Sequence, residues 1–190
     1  MRSRSRPRHL ALVAGAVGLA LATFVPRAAA SVTFHRIDGI AAPGTPDPLN
    51  RVGVLETGPP HARNILVLNP GTSASAAYFE PLAKTIVKRA RGWQVWAVER
   101  RENLLEDHSM LDRAKEGTAT PRQLFNYYLG WITDPSVKRH FQFIPDSEVG
   151  FARDWGMRVE IEDLRRVVEA AEKQGRRVVV GGHSCDASQN

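Results

Sequence analysis

The stretch Val178-Val179-Val180-Gly181-Gly182-His183-Ser184 is the most informative part of this 190-residue chain. The valines predict a β-strand, and the glycines allow the backbone to turn sharply where that strand ends. A serine on a sharp turn after a strand has its hydroxyl outside the sheet. Because such a hydroxyl becomes a nucleophile when a base and oxyanion donors are supplied, Ser184 is the candidate catalytic residue.

The rest of the chain predicts an α/β fold with a mainly parallel sheet and flanking helices. A helix that begins near Pro81 and ends at Gly92 lies between two apolar runs, and this strand, helix, strand order is typical of a parallel sheet. The first predicted strand alternates apolar and polar residues, the second ends at Gly58-Pro59-Pro60, and the two are expected to pair antiparallel. The predicted strands cover residues 32–37, 51–57, 65–68, 93–98 and 177–180.

A second helix is predicted shortly before the last strand. Its apolar residues step by four and three along one face, with Asp154 as the expected cap and Gly175 at its end. The neighbouring pair Arg100-Arg101 follows a strand, where surface ion pairs are the expected role. The predicted buried face consists of Met157, Ile161, Leu164, Val168 and Ala171.

Residues 104–150 predict an insertion because the periodicity weakens there and aromatic residues gather. Two interpretations stay open: the rings pack into a small core of their own, or some of them line a substrate pocket under a lid. Within the same segment, Glu106-Asp107-His108 is a polar cluster that suggests either a solvated loop or an acid/base or metal pair. The aromatic residues are Phe125, Tyr127, Tyr128, Trp131, Phe141 and Phe143.

The turn at Ser184 resembles the nucleophile turn of the α/β-hydrolases, and Pro70-Gly71-Thr72 resembles the oxyanion loop of that family. The resemblance covers residues 32–185 and implies a partial α/β-hydrolase fold, incomplete over residues 31–190. It implies that Ser184 is the nucleophile, that the amides of Thr72 and Cys185 are oxyanion donors, and that no cofactor or metal is needed. Asp186 departs from the family's Gly-x-Ser-x-Gly pattern, which has glycine there.

The family order of serine, acid and histidine places the missing partners after Ser184, so we expect this chain to lack them. The expected function is therefore part of an exported serine hydrolase that cleaves a small carboxylic ester or related acyl substrate, inactive as given. The alternative is a non-catalytic fragment or pseudoenzyme that binds an apolar ligand. A nucleotide-binding doubly wound domain is disfavoured, because neither glycine-rich phosphate motif follows a strand.

Residues 1–30 predict a secretory signal peptide. Four alternating arginines precede the uncharged apolar residues 10–25, and Ala28-Ala29-Ala30 offers a cleavage site. An uncleaved anchor is the alternative, although the apolar stretch is shorter than the roughly 20 residues of a membrane span. We expect a secreted product without stable membrane insertion. The formal charge falls from +6 to +1 without the leader, which holds five arginines and no acid, so no nucleic-acid partner is indicated.

Cys185 is the only cysteine, so the fold cannot be stabilised by an intramolecular disulfide. No cysteine and histidine cluster has the spacing of a zinc site, which agrees with the expectation that no metal is bound. The oligomeric state is left open by the sequence.

Overall fold

The structure is a computed structural model that describes residues 31–71, 73–173 and 175–184. The predicted signal peptide, residues 1–30, lies outside the described residues. Five strands are present: β1 (Val32–Asp38), β2 (Arg51–Thr57), β3 (Asn64–Asn69), β4 (Trp93–Glu99) and β5 (Arg177–Gly182). The α-helices are α1 (Glu80–Arg89), α2 (Ser109–Lys115), α3 (Pro121–Phe125), α4 (Trp131–Thr133) and α5 (Met157–Glu172). All five predicted strands are therefore confirmed, as is the helix between Pro81 and Gly92.

The strands form one mixed sheet in the order β1-β2-β4-β3-β5. β1 pairs antiparallel with β2, and β2 pairs antiparallel with β4, whereas β3 is parallel to both β4 and β5. The α/β class and the antiparallel pairing of β1 with β2 are thus confirmed, and the sheet is mixed because β2 runs opposite to the other four strands. Only six residues join β2 to β3, too few for the crossover of a dozen or more that parallel strands need, so the chain reverses direction there.

Two apolar clusters cover the two faces of the sheet. One lies under α5 and includes Val54, Val67, Trp96 and Val167. The other lies under α1 and is built around Phe79, with further buried residues from the loop and the neighbouring strands. The three central strands are therefore covered on both faces, which explains the apolar run Ile65–Leu68 in β3 and the largely apolar sequence of β4.

β5 is less covered than the central strands. It pairs with β3 along its whole length and lies at one edge of the described sheet. Val178 packs against the cluster under α5, whereas Val179 and Val180 are 36% and 38% exposed. The strand that leads to Ser184 is thus held by its hydrogen bonds to β3 and by one packed face.

The buried face of α5 differs from the predicted one. Leu164 and Ala171 are buried as expected, but Met157 and Ile161 are 63% and 38% exposed. The helix is turned so that Asp163 points inward, and a buried aspartate was not part of the apolar pattern. The residue before the helix is Gly156, not the predicted cap Asp154, which lies in the 3-10 turn Gly150–Asp154. The buried residues of α5 are Val159, Asp163, Leu164, Val167 and Ala171.

Asp163 points inward because it pairs with Arg101, and the prediction of surface ion pairs is wrong for this arginine. Both side chains are buried, with exposed fractions of 1% for Arg101 and 6% for Asp163. The guanidinium donates to Asp163 at 2.7 and 2.8 Å, to the Ile40 carbonyl at 3.0 Å and to Asn50 Oδ1 at 3.1 Å. We call these four residues the Arg101 clasp. It joins the turn after β4, helix α5 and the segment between β1 and β2.

Residues 104–150 contain α2, α3, a π-helical turn (Asn126–Gly130) and α4. Their aromatic rings pack on one another: Trp131 stacks on His140 at 4.5 Å, and Phe141 meets Phe143 edge to face at 5.0 Å. Over the part of the chain that the structure describes, no helix is long and apolar enough to cross a membrane. The boundaries of the cap-like insertion remain a prediction.

Candidate active site

Two loops leave the sheet side by side at its carboxyl edge. β3 and β5 are parallel neighbours, Asn69 is paired with Gly182, and the His183 amide donates to the Asn69 carbonyl at 3.2 Å. Parallel strands end at the same edge, which is where open α/β sheets place their sites. The chain therefore brings Gly71 and Ser184, which are far apart in sequence, to one place.

Both loops contain strained backbone. Ser184 has φ of 74° and Ser73 has φ of 60°, and they are the only non-glycine residues with positive φ among those described. The left-handed conformation costs a residue with a Cβ about 1–2 kcal/mol. Such strain persists only where the surroundings enforce it, and it gathers at functional sites. Ser184 is also exposed, so its hydroxyl is accessible to a substrate.

Gly71 lies directly against Ser184. A Cβ at position 71 would lie 2.7 Å from the His183 carbonyl oxygen and 3.0 Å from Ser184 Oγ, and it would also overlap Ser184 Cβ. No side chain fits into this space, so glycine is required by the close approach of the two backbones. The loop after β3 thus reaches Ser184 through Gly71.

The two predicted oxyanion donors, Thr72 and Cys185, lie outside the described residues. Their roles stay predictions. Among the described residues, no hydrogen bond joins Ser184 to a histidine or a carboxylate. The nearest ring in sequence, His183, turns toward Tyr78, with 3.5 Å between His183 Nε2 and Tyr78 Oη and 5.2 Å between the ring centroids. The part of the chain that is described therefore supplies the candidate nucleophile but no base that contacts it.

The remaining described histidines of the core and the insertion are engaged elsewhere. His35 Nδ1 lies 3.7 Å from Glu56 Oε1, and His108 Nε2 lies 3.0 Å from Glu106 Oε2. His140 stacks on Trp131 in the insertion. None of these three contacts is with Ser184.

Glu99 anchors the loop that carries Gly71. This residue ends β4, and its carboxylate accepts hydrogen bonds from the Ala76 amide and from Asn103 Nδ2, the latter at 2.7 Å. The loop is further closed by a bond from the Ala74 amide to the Gly71 carbonyl at 3.1 Å. Glu99 thus ties the loop after β3 to the turn after β4. Sequence reasoning had assigned it no role, although a carboxylate at the end of a central strand was a usable signal.

A large open cavity of about 1160 Å³ lies between the sheet and residues 104–150. Ser75, Ala76 and Ala77 form part of its wall, so the loop that touches Ser184 at one end borders the cavity at the other. Ser184 is not among its lining residues. The apolar side chains that line it are Phe34, Leu55, Leu104, Leu105, Leu111, Tyr128, Phe141, Phe143 and Ile144. Rings that pack together in the insertion therefore also line this cavity.

The polar cluster at Asp107 forms one side of the cavity. Tyr127 donates to Asp107 Oδ2 at 2.5 Å and the Ser109 amide to Asp107 Oδ1 at 2.8 Å. Hydrogen bonds from the Ser109 hydroxyl, the Tyr127 hydroxyl and the Ser109 amide hold the pKa of Asp107 below its usual value. Burial raises the pKa of the Tyr128 phenol, whose hydroxyl donates to the Asp107 carbonyl. Among the described residues, no group of three or more acidic, cysteine or histidine residues could hold a metal ion.

The comparisons with known proteins give a likeness in structure alone. No family model matches the chain, and no curated protein matches it in sequence. A solved structure from Sulfolobus solfataricus, described as "a putative lipase", is similar with a TM-score of 0.50 and 12% identity. The match covers 82% of this chain and 38% of that chain. At this identity the likeness concerns the fold, which both proteins share over most of the present chain.

Proposed function

We propose that this chain carries the nucleophile of an exported serine hydrolase that cleaves a carboxylic ester or a related acyl bond. The observation that carries the proposal is the left-handed, exposed conformation of Ser184 at the end of β5, in contact with Gly71. A serine whose only task is to end a strand has no need of this strain, and glycine would serve better there. The fold shared with the lipase-described structure supports the same assignment.

In the proposed reaction, Ser184 Oγ attacks the acyl carbon and its proton passes to a base. The carbonyl oxygen takes the negative charge of the tetrahedral intermediate, which the amides of Thr72 and Cys185 stabilise by donating hydrogen bonds. Collapse of the intermediate breaks the bond to the alcohol, which leaves with a proton, and water then releases the acid from the acyl-enzyme. No cofactor takes part. Among the described residues, none contacts Ser184 as a base, so we expect slow hydrolysis of esters by this chain.

The substrate and the location follow from two further features. The apolar wall of the cavity near Ser75 suits a small acyl or ester substrate, because apolar pockets with few polar groups bind such ligands. Export is supported by the charged head, apolar stretch and small residues of residues 1–30. We propose no nucleic-acid partner and no stable insertion in a membrane after the leader is removed.

A fluorophosphonate probe tests the nucleophile. The purified chain is incubated with the probe, digested, and searched by mass spectrometry for the modified serine. We expect Ser184 to be the serine that is modified fastest, and Ser184→Ala to lose the adduct. Ser136→Ala, a change in an exposed loop, is the matched control and keeps it. Equal modification of the wild type and Ser184→Ala would contradict the proposal.

A second function is favoured by the cavity itself, whose described lining does not include Ser184. Under this alternative, the chain binds an apolar ligand between the sheet and residues 104–150 and catalyses nothing. A fluorescent apolar probe separates the two. Binding that is lost in Phe143→Asp, together with no adduct at Ser184, supports the alternative. Binding that is unaffected by Phe143→Asp contradicts it.

A further inference from the structure

We propose that Glu99 is a positioning residue, which holds the loop after β3 in the conformation that lets it serve Ser184. The inference rests on the proposed function. It arises from a juxtaposition: one carboxylate at the end of β4 bonds both the backbone of the loop that touches Ser184 and the side chain of Asn103 in the next turn.

The loop needs such an anchor because its conformation is unfavourable. Ser73 has φ of 60°, and Gly71 must stay within contact of Ser184. A strained residue keeps its conformation only when neighbouring bonds leave the chain no alternative. Within the described part of the loop, the bond between Ala74 and Gly71 closes the first turn, and the bond from the Ala76 amide to Glu99 holds its far end.

Glu99 is itself fixed from two sides. Its Cβ packs against Gly53 of β2, where an added Cβ would lie 2.7 Å away, and Asn103 occupies its second oxygen. Asn103 is 5% exposed, and its backbone amide donates to the Arg100 carbonyl. The position of the carboxylate is therefore set by the central strands of the sheet. The hydrogen bond from the Ala76 amide to Glu99 then fixes the loop relative to these strands.

This arrangement predicts an effect on chemistry that is separate from substrate binding. A loop displaced by about 1 Å misplaces oxyanion donors and lowers the rate of the chemical step by up to about 100-fold. Glu99, Asn103 and Ala76 border the cavity, but its apolar wall is formed by residues of β1, β2 and the segment 104–150. We therefore expect the affinity for an apolar probe to depend little on the bond from Ala76 to Glu99. Glu99 acts through the loop and does not touch the reacting atoms.

The test measures modification of Ser184 by an alkyl fluorophosphonate over a range of probe concentrations, which separates the maximal rate from the half-saturating concentration. We expect Glu99→Gln, which keeps the size of the side chain, to lower the maximal rate by about 10- to 100-fold with a half-saturating concentration within twofold of the wild type. Glu116→Gln, an exposed carboxylate at the end of α2, is the control and leaves both quantities unchanged.

A second readout keeps the inference testable if Glu99→Gln is poorly folded. Asn103→Ala removes only the bond that fixes Glu99, and we expect a smaller loss of the maximal rate and faster hydrogen exchange at the Ala76 amide. A maximal rate in Glu99→Gln within twofold of the wild type, or unchanged exchange at Ala76 in both variants, overturns the inference alone. No adduct at Ser184 in the wild type removes the proposed function and, with it, this role of Glu99.

Discussion

The Arg101 clasp and the turn at Ser184 both lie at the carboxyl end of the sheet, yet they are built in opposite ways. In the clasp, all three guanidinium nitrogens have partners, and both charged side chains are buried. At the turn, Ser184 is exposed, its backbone is strained, and its hydroxyl has no described histidine or carboxylate partner. Buried polar groups whose hydrogen bonds are all made stabilise the fold, as in the clasp. An exposed hydroxyl on a strained turn is instead available for reaction, as at Ser184.

The largest effect is expected in the clasp. Asp163→Ala leaves Arg101 buried without its counter-charge, and we expect the free energy of unfolding to fall by about 3–5 kcal/mol in urea denaturation. Glu169→Ala on the solvent side of α5 is the control, with a change of no more than about 0.5 kcal/mol. If both variants were equally stable, the clasp would not contribute to the stability of the fold.

A double substitution in the clasp separates the effect of the unpaired charge from that of lost packing. Replacing both partners, Arg101→Leu with Asp163→Leu, removes the unpaired charge, and we expect it to recover much of the stability that Asp163→Ala loses. Urea denaturation of the two variants side by side measures the recovery. A double variant as unstable as the single one would show that packing, and not the unpaired charge, dominates at this place.

The next effect concerns the contact between the two loops. Gly71→Ala places a methyl group against the His183 carbonyl and Ser184, and we expect a loss of about 1–3 kcal/mol in stability together with slower modification of Ser184. The matched control is Gly150→Ala, because a Cβ at Gly150 meets nothing within 4 Å. Thermal denaturation and probe labelling check both variants. A neutral Gly71→Ala would mean that the loops are not packed as described.

A smaller effect isolates the strain at Ser184. Glycine adopts φ of 74° without a Cβ penalty, so Ser184→Gly should be more stable than Ser184→Ala by about 1 kcal/mol, while both lose the adduct. At Ser136, whose φ is not positive, the same pair should show no advantage for glycine. Chemical denaturation of the four variants measures these stability differences. If Ser184→Ala were as stable as Ser184→Gly, the backbone at position 184 would not be strained.

The smallest effect is expected at Asp107, beside the cavity. Because its pKa is lowered in the folded chain, its hydrogen bonds stabilise the fold above the unfolded pKa of about 3.9 and lose that effect as the pH falls through the folded pKa. Tyr127→Phe should raise the pKa of Asp107 toward its usual value, as followed by carboxyl NMR. The stability difference from the wild type should then be present near neutral pH and vanish in acid.

Local features were predictable, because they depend on neighbours in sequence. The end of β2 and the helix between Pro81 and Gly92 follow from the positions of proline and glycine. The α5 face could not be found this way, since Asp163 is turned inward by an arginine 62 residues away. The strand order was not predicted, because pattern alone does not say which strands are neighbours, and Glu99 was missed because its role depends on the fold that brings Ala76 to it.

The reactivity of Ser184 in the folded and in the unfolded chain shows whether the turn and the neighbouring loop, rather than the serine itself, create the reactive group. The fluorophosphonate modification rate of Ser184 is measured in buffer and in urea that unfolds the chain, with Ser136 as the internal reference. We predict that folding accelerates modification of Ser184 by about 100-fold or more and leaves Ser136 unchanged. Equal rates for Ser184 in the two conditions would contradict the account.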